Sequence, residues 1–260
     1  MKSKSLISVV MIMMLATGPG AVQADDPAHW TRALKYCFDI QPENNEYGPN
    51  HSIEYVNGVL HANTKCGSFA AVVVKKAYPN LTSSVMNGLF NEGYPGAAPW
   101  FDSILEQRTY QNAKGTFGTS LVQNIDDVQL GDILVSKYQS DSASGHVMLA
   151  GWKFSLGIFP VDQIPGYDEV EVFSVWVLDS TQTPHGDIDS RTGADTLNPE
   201  GPDDKGIGRA MIYIMADPQS GDMVGWTWSE SSSTIYQGTD PDGENYRPLI
   251  AGYLYGPGVW

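Results

Sequence analysis

Cysteine is scarce in this chain of 260 residues: only Cys37 and Cys66 are present. That count excludes a scaffold built on several disulfides and a zinc site made of cysteine pairs, and it leaves a choice between one bridge and a working thiol. Basic residues are also few, 15 against 30 acidic ones, for a formal net charge of -15. Such a balance repels nucleic acid and anionic membrane surfaces, so neither is expected as a partner. Past the first fifteen residues no apolar run approaches the roughly 18 to 20 residues that cross a bilayer, which argues against membrane insertion. Internal repeats, low-complexity tracts and an obvious linker are lacking too, as is any cofactor or metal motif. One large domain with its own core is the simplest organisation.

What is present begins with an export signal. Lys2 and Lys4 precede the apolar segment 6–15, and Val22-Gln23-Ala24 offers small residues for cleavage, so residues 1–24 read as a signal peptide and the mature chain as starting at Asp25. The product is expected outside the cytoplasm, periplasmic or extracellular. Residues 25–50 read as an N-terminal extension with a short amphipathic piece at 30–38, and 51–260 as the main domain. Helical turns are expected at 53–60, a helix at 64–78 stopped by Pro79, and two more at 84–91 and from Pro99. The second half changes period. Short runs rich in Val, Ile, Trp and Tyr predict strands at 132–138, 146–152, 170–179, 208–216, 223–228 and 249–254, with a hairpin turn at 217–222. Helices followed by an antiparallel meander define an α+β class.

The helix that opens at Cys66 carries the chemistry. Thr64 is placed to cap its first turn, and Cys66, Phe69, Ala70, Val73 and Ala77 share a face. Free N–H groups and the positive end of the helix dipole favour a thiolate there, and such sites bring a thiol from about 8.5 to roughly 3.5–7.5. His146 opens an otherwise apolar strand, which gives imidazole no packing reason to be there, and Asp179 closes the next apolar strand. If the two strands pair, Asp179 comes beside His146. Cys66, His146 and Asp179 then supply a nucleophile, a general base and an orienting carboxylate for attack on an amide carbonyl. The Cys66 backbone N–H is one oxyanion donor, with the second donor unassigned. The competing reading is a secreted binding domain in which Cys37 and Cys66 are bridged, closing a loop of about 30 residues for roughly 3–4 kcal/mol.

Lys65-Cys66-Gly67-Ser68-Phe69, Gly131-Asp132-Ile133-Leu134-Val135 and Gly145-His146-Val147 together resemble the NlpC-type branch of papain-like cysteine peptidases, which cleave peptide bonds of bacterial cell-wall murein. The resemblance covers about residues 55–179. Lys65 stands where an aspartate is common, and Gly67-Ser68 reverses the usual order. The resemblance implies a papain-like fold with N-terminal helices on a six-stranded, mostly antiparallel sheet, and a murein stem peptide as substrate. Val175-Trp176-Val177-Leu178-Asp179-Ser180-Thr181 is also similar to the aspartate-bearing strand of transglutaminase-like proteins, for which acyl transfer would be implied. Elsewhere the acidic stretch 182–205, with Asp187, Asp189, Asp195, Glu200, Asp203 and Asp204, reads as a solvated loop. Arg191 there, and Pro241 in 240–244, interrupt calcium-loop patterns. His185 is expected on the surface, and His61 with Cys66 lacks a second pair to complete a zinc site.

Overall fold

In the computed structural model the described residues are 26–138, 145–192 and 205–259. The export signal, the cleavage point before Asp25, and Asp195, Glu200, Asp203 and Asp204 lie outside them. Four α-helices and twelve strands are formed among the described residues: α1 Ala28–Asp39, β1 Asn45–Tyr47, β2 Ser52–Val56, β3 Val59–Thr64, α2 Cys66–Ala77, α3 Ser83–Phe90, α4 Ala97–Leu105, β4 Thr109–Asn112, β5 Gly115–Val122, β6 Ile133–Ser136, β7 His146–Pro160, β8 Glu169–Thr181, β9 Gly206–Ala216, β10 Met223–Thr227, β11 Ile235–Gln237 and β12 Leu249–Tyr255.

The papain-like α+β layout expected from the sequence is not adopted. Nine strands, all antiparallel to their neighbours, form one sheet in the order β11-β10-β9-β8-β7-β6-β12-β5-β4, and β1-β3-β2 form a second sheet. The protein is therefore mainly β. Local chemistry explains the difference. Residues 53–60, expected as helical turns, are a hairpin because Asn57 (φ 52°) and Gly58 (φ 84°) supply the left-handed pair that a two-residue hairpin turn demands. Burial alternates along β3, with Leu60, Ala62 and Thr64 inside. The β4–β5 hairpin went unpredicted because Thr, Ser, Gln and Gly dilute its apolar signal, yet Phe117, Thr119 and Val122 of β5 are buried.

The nine-stranded sheet curls. Its two arms meet where Asn124 bridges Asp222, where the Ile125 N–H donates to the Gly221 carbonyl, and where the Trp226 indole N–H donates to the Arg247 carbonyl at 2.8 Å. One face encloses a core of Leu134, Met148, Ala150, Val177, Ile212 and Trp226. The opposite face, through Ile133, Val135, Val147 and Leu149, packs on the helices. Helix α1 belongs to that second core: Trp30 is fully buried and stands edge-on to Trp152 at 5.5 Å. Helix α2 is buried from Cys66 to Val74, so tertiary packing rather than propensity holds its β-branched run helical. Its N-cap is Lys65, not Thr64. The Ser68 hydroxyl accepts the Lys65 N–H at 2.9 Å, while the Thr64 hydroxyl is buried with no partner among the described residues.

Candidate active site

Three elements bring Cys66, His146 and Asp179 to one point. Antiparallel pairing sets Met148 opposite Asp179 and Ser136 opposite His146, so His146 at the start of β7 lies beside the carboxylate near the end of β8. Helix α2 delivers Cys66 to the same rim, its sulfur 3.9 Å from the Gly145 carbonyl. Gly67 allows the close approach behind it: a Cβ there would lie 2.3 Å from the Pro95 carbonyl oxygen and 2.9 Å from Gly96 Cα. The glycine directly after the cysteine thus has a packing cause, the loop that leads into α4.

The imidazole bridges the other two groups. His146 Nε2 donates to Asp179 Oδ2 at 2.6 Å, and the ring also hydrogen-bonds the Cys66 thiol, which assigns Nδ1 to sulfur. Burial alone would raise the Cys66 pKa. The hydrogen bond and charge of His146, with backbone N–H groups of Val147 and Gly67, outweigh it and hold the thiol below its ordinary value. For His146 burial opposes the charged ring, but Asp179 and Cys66 raise its pKa to about 9. Each shift favours the charged form of its group, anionic sulfur beside protonated ring.

Asp179 is fully buried, and its anionic state has visible supports. Burial disfavours the charge, yet the Arg191 guanidinium and the His185 and His146 rings hold the carboxyl well below the usual range. Arg191 Nη1 donates to Asp179 Oδ1 at 2.8 Å, and its Nε and Nη2 grip Asp189 at 2.8 and 2.6 Å. Gly208 leaves room for this guanidinium, since a Cβ there would meet Arg191 Nε at 2.8 Å. His185 Nε2 lies 2.8 Å from Asp179 Oδ2 and its Nδ1 2.6 Å from the Trp228 carbonyl oxygen, so the ring spans the carboxylate and the β10 end. Trp228 stacks on it at 4.1 Å. The expectations of a surface histidine and a solvated loop are corrected here. His185, Asp189 and Arg191 are buried, because a carboxylate taken out of water must find donors and these supply them.

Tyr47, on β1, is a site residue that the sequence did not reveal. Parallel pairing sets it beside Thr64, two residues before the nucleophile, and its hydroxyl hydrogen-bonds the Cys66 side chain. Burial, then the negative charges of Cys66 and Asp179, push its pKa up, so it stays a donor. Cys37 and Cys66 are unbonded to each other. The Cys37 thiol donates to the Gly208 carbonyl at 3.3 Å, and burial pushes its pKa up to about 12.

His146, Asp179 and His185 place possible metal-ligand atoms within 4.8 Å of one another. They do not fit a metal in this arrangement. The 2.6 and 2.8 Å N···O separations are hydrogen-bond lengths, shorter than the about 3.3 Å between ligands around a tetrahedral zinc with bonds of about 2.0–2.1 Å, and Arg191 already supplies the countercharge.

No family model matches the chain, and no solved structure matches it. The chain is similar to a protein of Acanthamoeba polyphaga mimivirus described as "Uncharacterized protein R653", with 25% identity over 246 residues that cover 86% of this chain and 94% of that protein.

Proposed function

We propose that this chain is an exported cysteine hydrolase that cleaves amide bonds through Cys66, His146 and Asp179. The observation that carries the reading is geometric: Cys66 opens α2 beside the His146 ring, whose Nε2 is held by buried Asp179 at 2.6 Å. The Cys66 thiolate attacks the carbonyl carbon, and the His146 imidazolium passes its proton to the amine as the C–N bond breaks. Acylation removes the negative sulfur that helped raise the His146 pKa, so the neutral ring then takes a proton from water, which cleaves the thioester to acid and free thiol. The Tyr47 hydroxyl and the Gly67 and Val147 N–H groups steady the thiolate, and the Cys66 backbone N–H at the head of α2 is the oxyanion donor of the proposal. Asp179 keeps the ring oriented and its charge compensated.

Peptide bonds of murein are the first substrate class to test, on the strength of the three motifs around Cys66, Asp132 and His146. An amine in place of water would turn the same thioester to acyl transfer, and product masses distinguish the two outcomes. Iodoacetamide at pH 6–7 should label Cys66 far faster than Cys37, and murein fragments should gain cleavage products by mass spectrometry that Cys66→Ala and His146→Ala abolish. Equal slow labelling of both thiols would remove the proposal.

A further inference from the structure

The same end of the curled sheet carries a cation with no role in the steps above. Ser136 pairs with His146 on one side and with Leu249 on the other, so Tyr138 and Arg247, each two residues beyond those positions, project past the end of the sheet where the thiol lies. The Lys137 N–H bonded to the Pro248 carbonyl continues that register outward. Arg247 Cζ sits 4.6 Å from the Tyr138 ring centre and 4.1 Å from that of Tyr236, so the guanidinium is held between two aromatic faces. A guanidinium fixed by its faces keeps in-plane N–H groups in the fork geometry that matches a carboxylate.

Two further observations give this cation a direction. In a chain with twice as many acidic as basic residues, Arg247 enters no ion pair among the described residues, although it is only partly buried. Lys65, immediately before the nucleophile, is exposed and likewise in no ion pair among the described residues. Because Ser136 pairs with both His146 and Leu249, the stacked guanidinium lies beyond the sheet end that carries His146 rather than beyond the opposite end.

We infer that Arg247, clamped between Tyr138 and Tyr236, binds a carboxylate of the substrate, with Lys65, next to Cys66 in the chain, adding positive potential. The inference rests on the cysteine-hydrolase reading and deepens it: the favoured substrate is a peptide with a free carboxylate near the scissile amide. The stack with Tyr138 and Tyr236 orients the guanidinium, and the substrate supplies a counterion that no described residue does.

Paired alkylating probes test this without a known substrate. Iodoacetate and iodoacetamide form the same kind of S–C bond with Cys66 as iodide leaves, but only the first carries a carboxylate. On the full mature chain at pH 7 and low ionic strength, the ratio of iodoacetate to iodoacetamide labelling at Cys66, read by peptide mass mapping, should fall roughly threefold or more in Arg247→Gln and be largely retained in Arg247→Lys. Added salt should lower the wild-type ratio toward that of Arg247→Gln. An unchanged ratio in Arg247→Gln, with Cys66 still labelled ahead of Cys37, overturns the carboxylate site and leaves the hydrolase reading standing. If Arg247→Gln misfolds, a salt-independent wild-type ratio overturns it equally. Cys66 unreactive toward both probes would defeat the hydrolase reading and the carboxylate site with it.

Discussion

Replacing Arg191 by methionine removes the guanidinium that bridges two buried carboxylates, Asp179 and Asp189. Its side chain makes four hydrogen bonds: two to Asp189, one to Asp179 and one, at 2.9 Å, to the Gly206 carbonyl. Methionine keeps the unbranched stem and loses all four. Breaking a buried pair by deleting one partner costs about 3–5 kcal/mol, because the other charge stays buried and unmatched. Total stability of a domain is about 5–15 kcal/mol, so Arg191→Met should stand near the limit of folding. Urea unfolding followed by tryptophan fluorescence should show a midpoint lower by about 1–3 M. Arg191→Lys keeps a charge but loses the fork, and its loss should be smaller, about 1–3 kcal/mol. The same change reaches the site, because Asp179 then no longer divides its charge between Arg191 and the imidazolium. The His146 titration, followed by NMR of the ring proton, should move upward. An Arg191→Met protein with an unaltered urea midpoint and an unmoved His146 titration would refute the account of Arg191 as the counterion of Asp179.

His29 gives a stability prediction of definite sign. Burial lowers its pKa to about 4 although the Gly131 carbonyl favours the charged ring, so between about 6.5 and 4 the unfolded chain takes up the proton first. Stability should be full above pH 6.5 and fall by up to roughly 3 kcal/mol toward pH 4, and His29→Gln, whose amide can serve both Gly131 and Tyr78, should flatten that slope in urea titrations. A slope that survives His29→Gln contradicts the assignment. Gly67→Ala should destabilise by about 1–3 kcal/mol, because its methyl meets backbone on the approach to α4; a thermal melt equal to that of the parent would contradict the packing argument. Exported material should begin at Asp25 by intact mass, and a product that keeps Met1 outside the cell would end the signal-peptide reading.

Cys66, His146 and Asp179 could be read from sequence because each sits at the end of an apolar element that has no packing use for it. Their supports were hidden for the opposite reason. Residues 185–191 are polar and rich in turn formers, the signature of a solvated loop, and only the three-dimensional fact that Asp179 has no water turns them inward. Asp189 and Arg191, two residues apart and of opposite charge, were the available hint. Tyr47 lay in a stretch read as an extension, and its register with Thr64 depends on a parallel pairing that periodicity does not encode. The Gly131-Asp132 motif has a structural cause here: Gly131 holds φ 90°, and a Cβ on it would lie 2.8 Å from His29 Nε2, while Asp132 Oδ2 accepts the Gln129 N–H at 2.8 Å. The α+β expectation fails where strands are short or polar, at β1, β2, β3, β4, β5 and β11.

Strand β12 lies in the interior of the sheet, between β5 and β6, although more than a hundred residues separate it from either in the chain. Until residues 249–255 arrive, β5 and β6 face an open slot and the arms of the sheet have nothing to close upon. Such long-range pairing makes folding slow and late. A chain made from its N-terminus would therefore hold the sheet open between β5 and β6 until β12 slots in, so the last of the described strands to be made is the one that closes the sheet.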